Sequence, residues 1–494
     1  MARPQPIRDR DQEGNFFDDL RPWLARVEEM GQLERISGAH WDLEVGALNE
    51  IICERTPTPP ALLFEDVVGH EGKGRVLANM METMERTALA LNLPPDLSTL
   101  EVIDRLRTRL STLVPVEPRV LATGPVMENR LTGDDINILD IPVPRWHSGD
   151  GGRYLGTAHL VVTRDPETGE ENVGCYRVMV HERDKLALYI SPGKHGRMHM
   201  EKTLAAGKPM QVAMAFGQHP LVFMAATQAV PPGLSEYAWA GGLVGQPLSV
   251  IEAPITGLRV PAAAEIVVEG EIIPGDTRPE GPFGEWTGYY ASARRAEPVV
   301  QLKAMYHRDN PILTGAPPFR PTIHGMYRSM LRSAMIWNGV EKGGVPDVVG
   351  VYVPPPAQRF MIVIAIRQRY PGHAKQAAMM AAQCHAGAYL GRYVVVVDDD
   401  VDITNLNEVV WAMCTRSNPE ESIDIIRRTW SGPLDPIIPR DKKGLNSRAI
   451  IDATRPFEWK DEFPAVSQID KDTHQTVSAK WKDELDRVVR GHQP

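Results

Sequence analysis

Between Pro115 and about residue 315 the chain is cut into short Val- and Ile-rich runs separated by turn clusters such as Asp165-Pro166-Glu167-Thr168-Gly169. This texture constrains the fold more than any other feature. The runs at 159–163, 175–180, 186–190, 210–216, 265–271 and 299–306 are of strand length, which predicts a twisted antiparallel sheet or barrel. The flanking regions read differently. At 15–30, Phe16, Leu20, Leu24 and Val27 recur at helical spacing, with Asn15 placed to cap the start and Gly31 to stop it; further helices are expected at 43–55, 84–91 and 100–110, with short apolar runs at 61–64 and 75–78. Beyond 315, a helix at 325–337 precedes a strand and helix alternation: strands at 347–353, 360–367 and 393–397, helices at 374–389 and 406–415. The expected class is therefore α/β (α+β): an N-terminal α/β unit over 1–115, a sheet or barrel over 116–315, a connecting helix over 316–340, a C-terminal α/β domain over 341–465 and a partly helical tail over 466–494.

Composition narrows the function classes. Lys and Arg number 54 against 64 Asp and Glu, a net charge of −10 without long runs of one sign, which argues against nucleic acid or an anionic membrane as the main partner. No apolar stretch approaches the roughly 18–20 residues of a membrane span, and the first residues, MARPQPIRDRDQ, hold no apolar signal region. Cys53, Cys175, Cys384 and Cys414 lie far apart without CxxC spacing, so neither a disulfide framework nor a zinc knuckle is expected. A soluble cytoplasmic protein is the expectation.

Several segments carry chemistry-capable residues. Pro279-Glu280-Gly281-Pro282-Phe283-Gly284-Glu285 sets two carboxylates five apart in a Gly/Pro turn, suited to paired acid and base work if both face one cavity. On its own it reads first as a solvated acidic turn. Asn172, His195 and Glu236, on or beside three expected strands, make a mixed oxygen and nitrogen set of the kind Mn²⁺ or Mg²⁺ takes beside a phosphate; on its own each reads first as an ordinary surface or strand-end group. Arg177, inside the expected strand 175–180 on the face of Cys175 and Met179, needs a partner, either a carboxylate ligand or a structural ion pair. Gly241-Gly242-Leu243-Val244-Gly245 lacks the GxGxxG spacing of a dinucleotide loop. The acids Asp398, Asp399, Asp400 and Asp402 read as a polar loop before a helix that Thr404 or Asn405 would cap.

Taken in order along the chain, these segments resemble the UbiD family of reversible decarboxylases. The resemblance runs from about residue 16 to 465, through Phe17, Leu20, Arg21 and Leu24, Pro60 to Phe64, Trp146 to Tyr154, Asn172-x4-Arg177, His195, Ser235-Glu236, Pro279 to Glu285, Pro371 to Lys375 and Asp398 to Asp400 with Trp411-Ala412. It implies a split β-barrel of flavin-reductase type in the middle and a C-terminal domain that mediates homo-oligomers, dimer or hexamer. It also implies prenylated FMN (prFMN) in its iminium form, supplied by a flavin prenyltransferase. Asn172, His195 and Glu236 would then hold Mn²⁺ or Mg²⁺. Carbonyls of Val173, Ala225 and Gln228, with Glu236, would hold K⁺. Cys175, Tyr176, Arg177, Thr227 and Gln228 would line the cofactor, and Lys194 and Lys375 would approach its phosphate. The catalytic trio would be Arg177, Glu280 and Glu285, with Arg177 taking the substrate carboxylate and keeping a neighbouring Glu ionised, and Glu285 donating the proton that replaces CO₂.

Tyr327, aligned through His324-x-Met326, Trp286 and Arg320 would border a substrate pocket, favouring an aromatic or heteroaromatic acid of indole, pyrrole, furan, hydroxybenzoate or fused-ring type. Trp239 could border it too, though Trp is more often core. A cinnamic or acrylic acid, a plain flavin reductase and a non-catalytic carboxylase subunit are the alternatives.

Overall fold

The computed structural model describes residues 16–491 apart from 229, 232, 291–292, 319, 322–324 and 443. The Asn15 cap and the His324 anchor lie outside them. The first helix, Leu20–Glu29, begins five residues later than its periodicity suggests, because the Asp19 side chain accepts from Arg21 N–H and fixes the start there.

Among the described residues the backbone forms four sheets. A nine-stranded antiparallel sheet, curled into a half-barrel, fills the middle of the chain. Its central strands are buried on both faces, and the period of two sorts their side chains into separate cores. Leu160, Val162, Ala213 and Ala215 pack with Leu221, Phe223 and Tyr237 from two helices, Pro220–Ala226 and Glu236–Val244. Val161, Val212, Met214 and Phe216 face the other way, onto Ile266 and Val268.

Two strands of this sheet differ from expectation in ways that build the site. The run at 265–271 continues as one strand, Ile266–Glu280, paired along its length with Arg295–His307 and bulged between Ile272 and Thr277, so Glu280 sits at a strand end opposite Arg295. The run at 175–180 starts late, as Val178–Glu182, because Cys175 N–H bonds to the Ala226 carbonyl instead of a neighbouring strand. Arg177 therefore lies in the connecting segment rather than in strand alternation.

Strands Leu33–Ser37, Ala61–Glu65 and Arg75–Ala78 form the N-terminal sheet, which takes its fourth strand, Ile312–Thr314, from the end of the middle region. The long helix Met326–Lys342 crosses to the C-terminal part and docks on helix Thr99–Ser111: Arg107 lies over the Trp337 ring at 4.3 Å and pairs with Glu341 at 2.7 Å. The C-terminal sheet has order Val348–Tyr352, Met361–Ile366, Tyr393–Asp398, Leu445–Ala453, Ile423–Trp430. The helix expected at 374–389 breaks at the extended Cys384 into His373–Gln383 and His385–Ala388, where the Arg448 guanidinium donates to the carbonyls of Ala382, Gly387 and Ala388. The glycine segment 241–245 lies in and after helix Glu236–Val244. Asp398 and Asp400 close ion pairs with Arg416, and Asn405 caps the next helix, so neither motif is a ligand loop. The tail holds helices Lys471–Lys480 and Lys482–Gly491. No described helix is long and apolar enough to cross a membrane. The four cysteines are free.

Candidate active site

Arg177 organises the site. Its Nε and Nη2 each donate to Glu280 at 2.8 Å, a two-pronged pair in which Glu280 is fully buried, and Nη1 reaches Glu285 at 3.3 Å. Tyr154 Oη donates to Glu280 Oε1 at 3.0 Å and to the Pro282 carbonyl at 3.3 Å, fixing the pair from the other side. The Arg177 guanidinium also lies over the Tyr189 ring at 4.5 Å, and Arg295 stacks on the same ring at 3.9 Å. Burial would depress the Arg177 pKa, but the bonds and charge of Glu280 outweigh it and raise it, so the guanidinium stays charged.

The turn after Glu280 brings Glu285 back to the same guanidinium. Gly281 has φ +83°, which a residue with a Cβ adopts at a cost, and Gly151 packs directly on the Gly281 backbone while its N–H bonds to the Pro282 carbonyl at 2.8 Å. Burial pushes the Glu285 carboxyl upward; Arg177 pulls it down and Glu280 pushes it up again, with a net rise. Its proton is retained to higher pH than that of an ordinary carboxyl, as a proton donor requires.

A cavity of about 160 Å³ opens onto this trio, lined by Arg177, Glu285, Cys175 and Trp286 together with Tyr327 and Arg328. Trp286 packs against Phe360 at 5.3 Å between ring centres, which brings the C-terminal part to the cavity edge. Tyr327 is buried beside Phe223. Arg320 is exposed and does not line the cavity, and Trp239 lies in the core.

Next to the cavity the structure also gathers the mixed set, although only Asn172 is on a strand (Glu171–Gly174), while His195 and Glu236 each begin a helix. The Tyr176 hydroxyl accepts from Asn172 Nδ2 at 3.1 Å and from Gly196 N–H at 3.4 Å, tying Asn172 to the residue after His195. Glu236 is buried and accepts from Val173 N–H at 3.0 Å, and burial raises its pKa to about 7. A buried carboxylate with so little compensation fits a bound cation. Among the described residues no three His, Cys, Asp or Glu gather into a metal site, and this trio contains only two of those types. Ala225, Thr227 and Gln228 lie beside Cys175 through its bond to Ala226, and Gln228 Nε2 donates to Thr227 Oγ1 at 3.0 Å. Lys194 is the residue before His195. Lys375 is not brought here: its ammonium is half-exposed and pairs with Asp424 at 3.0 Å on an outer strand of the C-terminal sheet.

Models of the UbiD family, described as those of 3-octaprenyl-4-hydroxybenzoate carboxy-lyase, match the chain over residues 24–106 (N-terminal domain), 119–321 (Rift-related domain) and 326–453 (C-terminal domain). The chain belongs to the UbiD family. The chain is similar to a phenolic acid decarboxylase of Bacillus subtilis (strain 168), 32% identical over 446 residues, 89% of this chain and 93% of the relative. Among solved structures, the UbiD-class enzyme HmfF from Pelotomaculum thermopropionicum in complex with FMN is 31% identical, with a TM-score of 0.82 over 92% of this chain and 98% of that one. An evolved dimeric form of the same enzyme in complex with prFMN is 30% identical, with a TM-score of 0.78 over 92% and 97%. The open form of the vanillic acid decarboxylase VdcCD from Sedimentibacter hydroxybenzoicus is 30% identical, with a TM-score of 0.83 over 96% and 100%. UbiD-family enzymes are carboxy-lyases, and this chain is one of them.

Sequence reasoning missed Tyr154 and Arg328. Tyr154 stands in the quoted motif ending Arg153-Tyr154, but nothing local marks its hydroxyl as a donor to Glu280. Arg328 and Arg332 lie one turn apart on helix Met326–Lys342, a spacing that signals a shared face.

Proposed function

We propose that this UbiD-family chain is a reversible, non-oxidative decarboxylase of an aromatic or heteroaromatic carboxylic acid that works with prFMN. The observation that carries the reading is the Glu280–Arg177–Glu285 arrangement at the cavity wall, with one carboxylate locked on the guanidinium and the other kept toward its protonated form. The prFMN and FMN complexes of HmfF support the flavin.

Loss of CO₂ leaves an electron pair at an unsaturated carbon, and no side chain can store it. The bound flavin would supply that electron sink. Cys175, Tyr176, Thr227 and Gln228 would line the cofactor. Asn172, His195 and Glu236 would hold a Mn²⁺ or Mg²⁺ ion at its phosphate, with Val173, Ala225, Gln228 and Glu236 around a K⁺ ion and Lys194 nearby. Arg177 orients the substrate carboxylate toward the cavity while its other edge stays on Glu280. Glu285, protonated, delivers its proton to the carbon that has lost CO₂, and the same residue removes that proton in the carboxylation direction. Tyr327 and Trp286 offer ring faces to an aromatic substrate. A homo-oligomer is expected, in line with the dimeric HmfF form and the VdcCD assembly.

The test is to produce the protein with and without a flavin prenyltransferase, with Mn²⁺ and K⁺ supplied, and to record the ligand mass, the absorbance spectrum and CO₂ release from a panel of aromatic acids. A prFMN mass confined to the co-expressed preparation, with CO₂ release abolished by Glu285→Gln, supports the proposal. Unmodified FMN in both preparations, with NADH oxidation that ignores Glu285→Gln, moves the assignment to a flavin reductase.

A further inference from the structure

Glu285 is held only loosely by its side chain: the 3.3 Å contact with Arg177 is at the long end of an N–H···O bond. A proton donor has to stand within about 2.6–3.2 Å of the atom it serves. Its position is therefore set by the backbone of segment 281–290, which segment 147–154 grips at two places. The inner grip is Gly151 N–H and Tyr154 Oη on the Pro282 carbonyl, and Phe283 adds to it by packing on the Tyr154 ring at 4.0 Å. The outer grip lies beyond Glu285, at Tyr290.

Tyr290 Oη donates to Asp150 Oδ1 at 3.3 Å, and the ring lies so close to Gly149 that a Cβ there would stand 2.6 Å from the hydroxyl. The tyrosine is 47% exposed, so apolar burial alone holds it weakly. Asp150 is the reverse case, with its side chain fully buried. Its Oδ2 accepts from His147 N–H at 2.9 Å and closes the turn 147–150, whose other bond runs from Asp150 N–H to the His147 carbonyl at 3.0 Å; His147 Nδ1 stands 3.8 Å from the same Oδ2. Among the described residues only Tyr290 donates to Oδ1. A buried carboxylate oxygen without a donor is costly, and an Asn or Ser would close such a turn without the charge. Turn closure thus accounts for one oxygen of Asp150 and leaves the other to Tyr290. The chain between the tyrosine and the acid is itself bonded, Glu285 N–H to the Tyr289 carbonyl at 2.9 Å and Gly288 N–H to the Glu285 carbonyl at 2.8 Å, so a hold on Tyr290 reaches Glu285.

We infer that Asp150 and Tyr290 are positioning residues for Glu285: the buried carboxylate anchors the tyrosine, and the tyrosine pins the far end of the segment that carries the acid. Neither residue lines the cavity. The inference rests on Glu285 as proton donor in the decarboxylase reading and adds what keeps it in place. A segment fixed at both ends samples fewer conformations than one fixed at a single end, and misplacing a reacting group by about 1 Å can cost about 100-fold in rate.

The test uses Tyr290→Phe, which keeps the ring and removes the hydroxyl, Asp150→Asn, which keeps an acceptor for His147 N–H, and the double variant. On FMN-loaded protein, hydrogen exchange of the Glu285 and Gly288 amides reads the segment without turnover. On protein made with the prenyltransferase, kcat and KM for CO₂ release are measured. We expect Tyr290→Phe to speed exchange of both amides about 10-fold and to lower kcat about 3- to 10-fold, with KM and melting temperature unchanged. In the Asp150→Asn background the same substitution should cost less than about 2-fold, because the charged acceptor is already gone. Unchanged exchange in Tyr290→Phe overturns the inference. So does faster exchange with kcat at the wild-type level, a double variant in which the two costs multiply, or a lower melting temperature with kcat per folded molecule intact. If wild type releases no CO₂ from any acid, the decarboxylase reading falls by itself, and the exchange result still decides the pin: faster exchange supports it and unchanged exchange removes it.

Discussion

Arg177 holds Glu280 by two N–H···O bonds of 2.8 Å and Glu285 by one of 3.3 Å, so a single guanidinium sorts two nearby carboxylates into a locked partner and a loosely held one. Lysine cannot reproduce this, because an ammonium presents a point charge where the guanidinium presents a planar fork. Arg177→Lys is expected to lower CO₂ release by roughly one to two orders of magnitude, since losing one charge-assisted bond of about 1.5–3 kcal/mol corresponds to that range. The retained positive charge beside buried Glu280 keeps the fold, so the melting temperature should move little. A large fall in melting temperature with activity per folded molecule intact would show a structural role only.

With Glu285 as the proposed proton donor, its acid form should set the alkaline limb of the rate. Its pKa is raised, first by burial and also by the charge of Glu280, against the pull of Arg177. The acid form that donates the proton persists above the ordinary carboxyl range and disappears as pH climbs through the raised value, so kcat for decarboxylation should fall with rising pH. In Glu285→Gln the limb should vanish together with at least about two orders of magnitude in rate, typical for a positioned general acid. A pH profile in the variant that still descends at the same place would assign the limb to another group.

The architecture was legible where periodicity is strong, and the site where side-chain chemistry is local. Strand Met210–Phe216 and helix Met326–Lys342 follow from their apolar patterns alone, since burial of one face or both decides them. The late start of strand Val178–Glu182 was not legible, because it depends on Cys175 bonding to Ala226, some fifty residues away in sequence. The same holds for the helix start at Asp19, which depends on its side chain accepting from Arg21 N–H in the folded backbone. Glu280 and Glu285 were visible as a pair, but their different settings, one held by Arg177 and Tyr154 and the other buried with a single bond to Arg177, come from segments that only the folded sheet brings alongside. Arg328 reads as an ordinary helix-surface arginine until the C-terminal part folds over the cavity.

Gly151 is the support on which the acidic turn rests. A Cβ there would run into the Gly281 carbonyl and stand 2.5 Å from its carbon, and the atoms it meets are the backbone of the Gly281–Pro282 peptide, not the end of a flexible side chain. Gly151→Ala should therefore push the turn outward and separate Glu280 and Glu285 from Arg177. We expect a stability loss of about 1–3 kcal/mol, the usual range for overpacking, and a far larger relative loss of activity. Denaturant melts alongside CO₂ release check this. Unchanged activity would mean that the turn's position does not control the acid pair.

Glu236 links the proposed metal site to stability through pH. Burial raises its pKa from 4.5 to about 7, so the folded chain binds this proton more tightly than the unfolded chain does. The sign follows: the stabilisation is fully present below pH 4.5 and is lost as pH rises through 7, a difference of about 3 kcal/mol at 1.36 kcal/mol per pH unit. A divalent cation replaces the proton at the carboxylate, and it competes best where the proton is absent. Mn²⁺ should therefore raise the melting temperature more at pH 8 than at pH 5. Glu236→Gln, which keeps the shape and removes the titration, should flatten the pH dependence of the metal-free protein and abolish the Mn²⁺ response. A Mn²⁺ shift of equal size at both pH values that survives in Glu236→Gln would place the ion elsewhere.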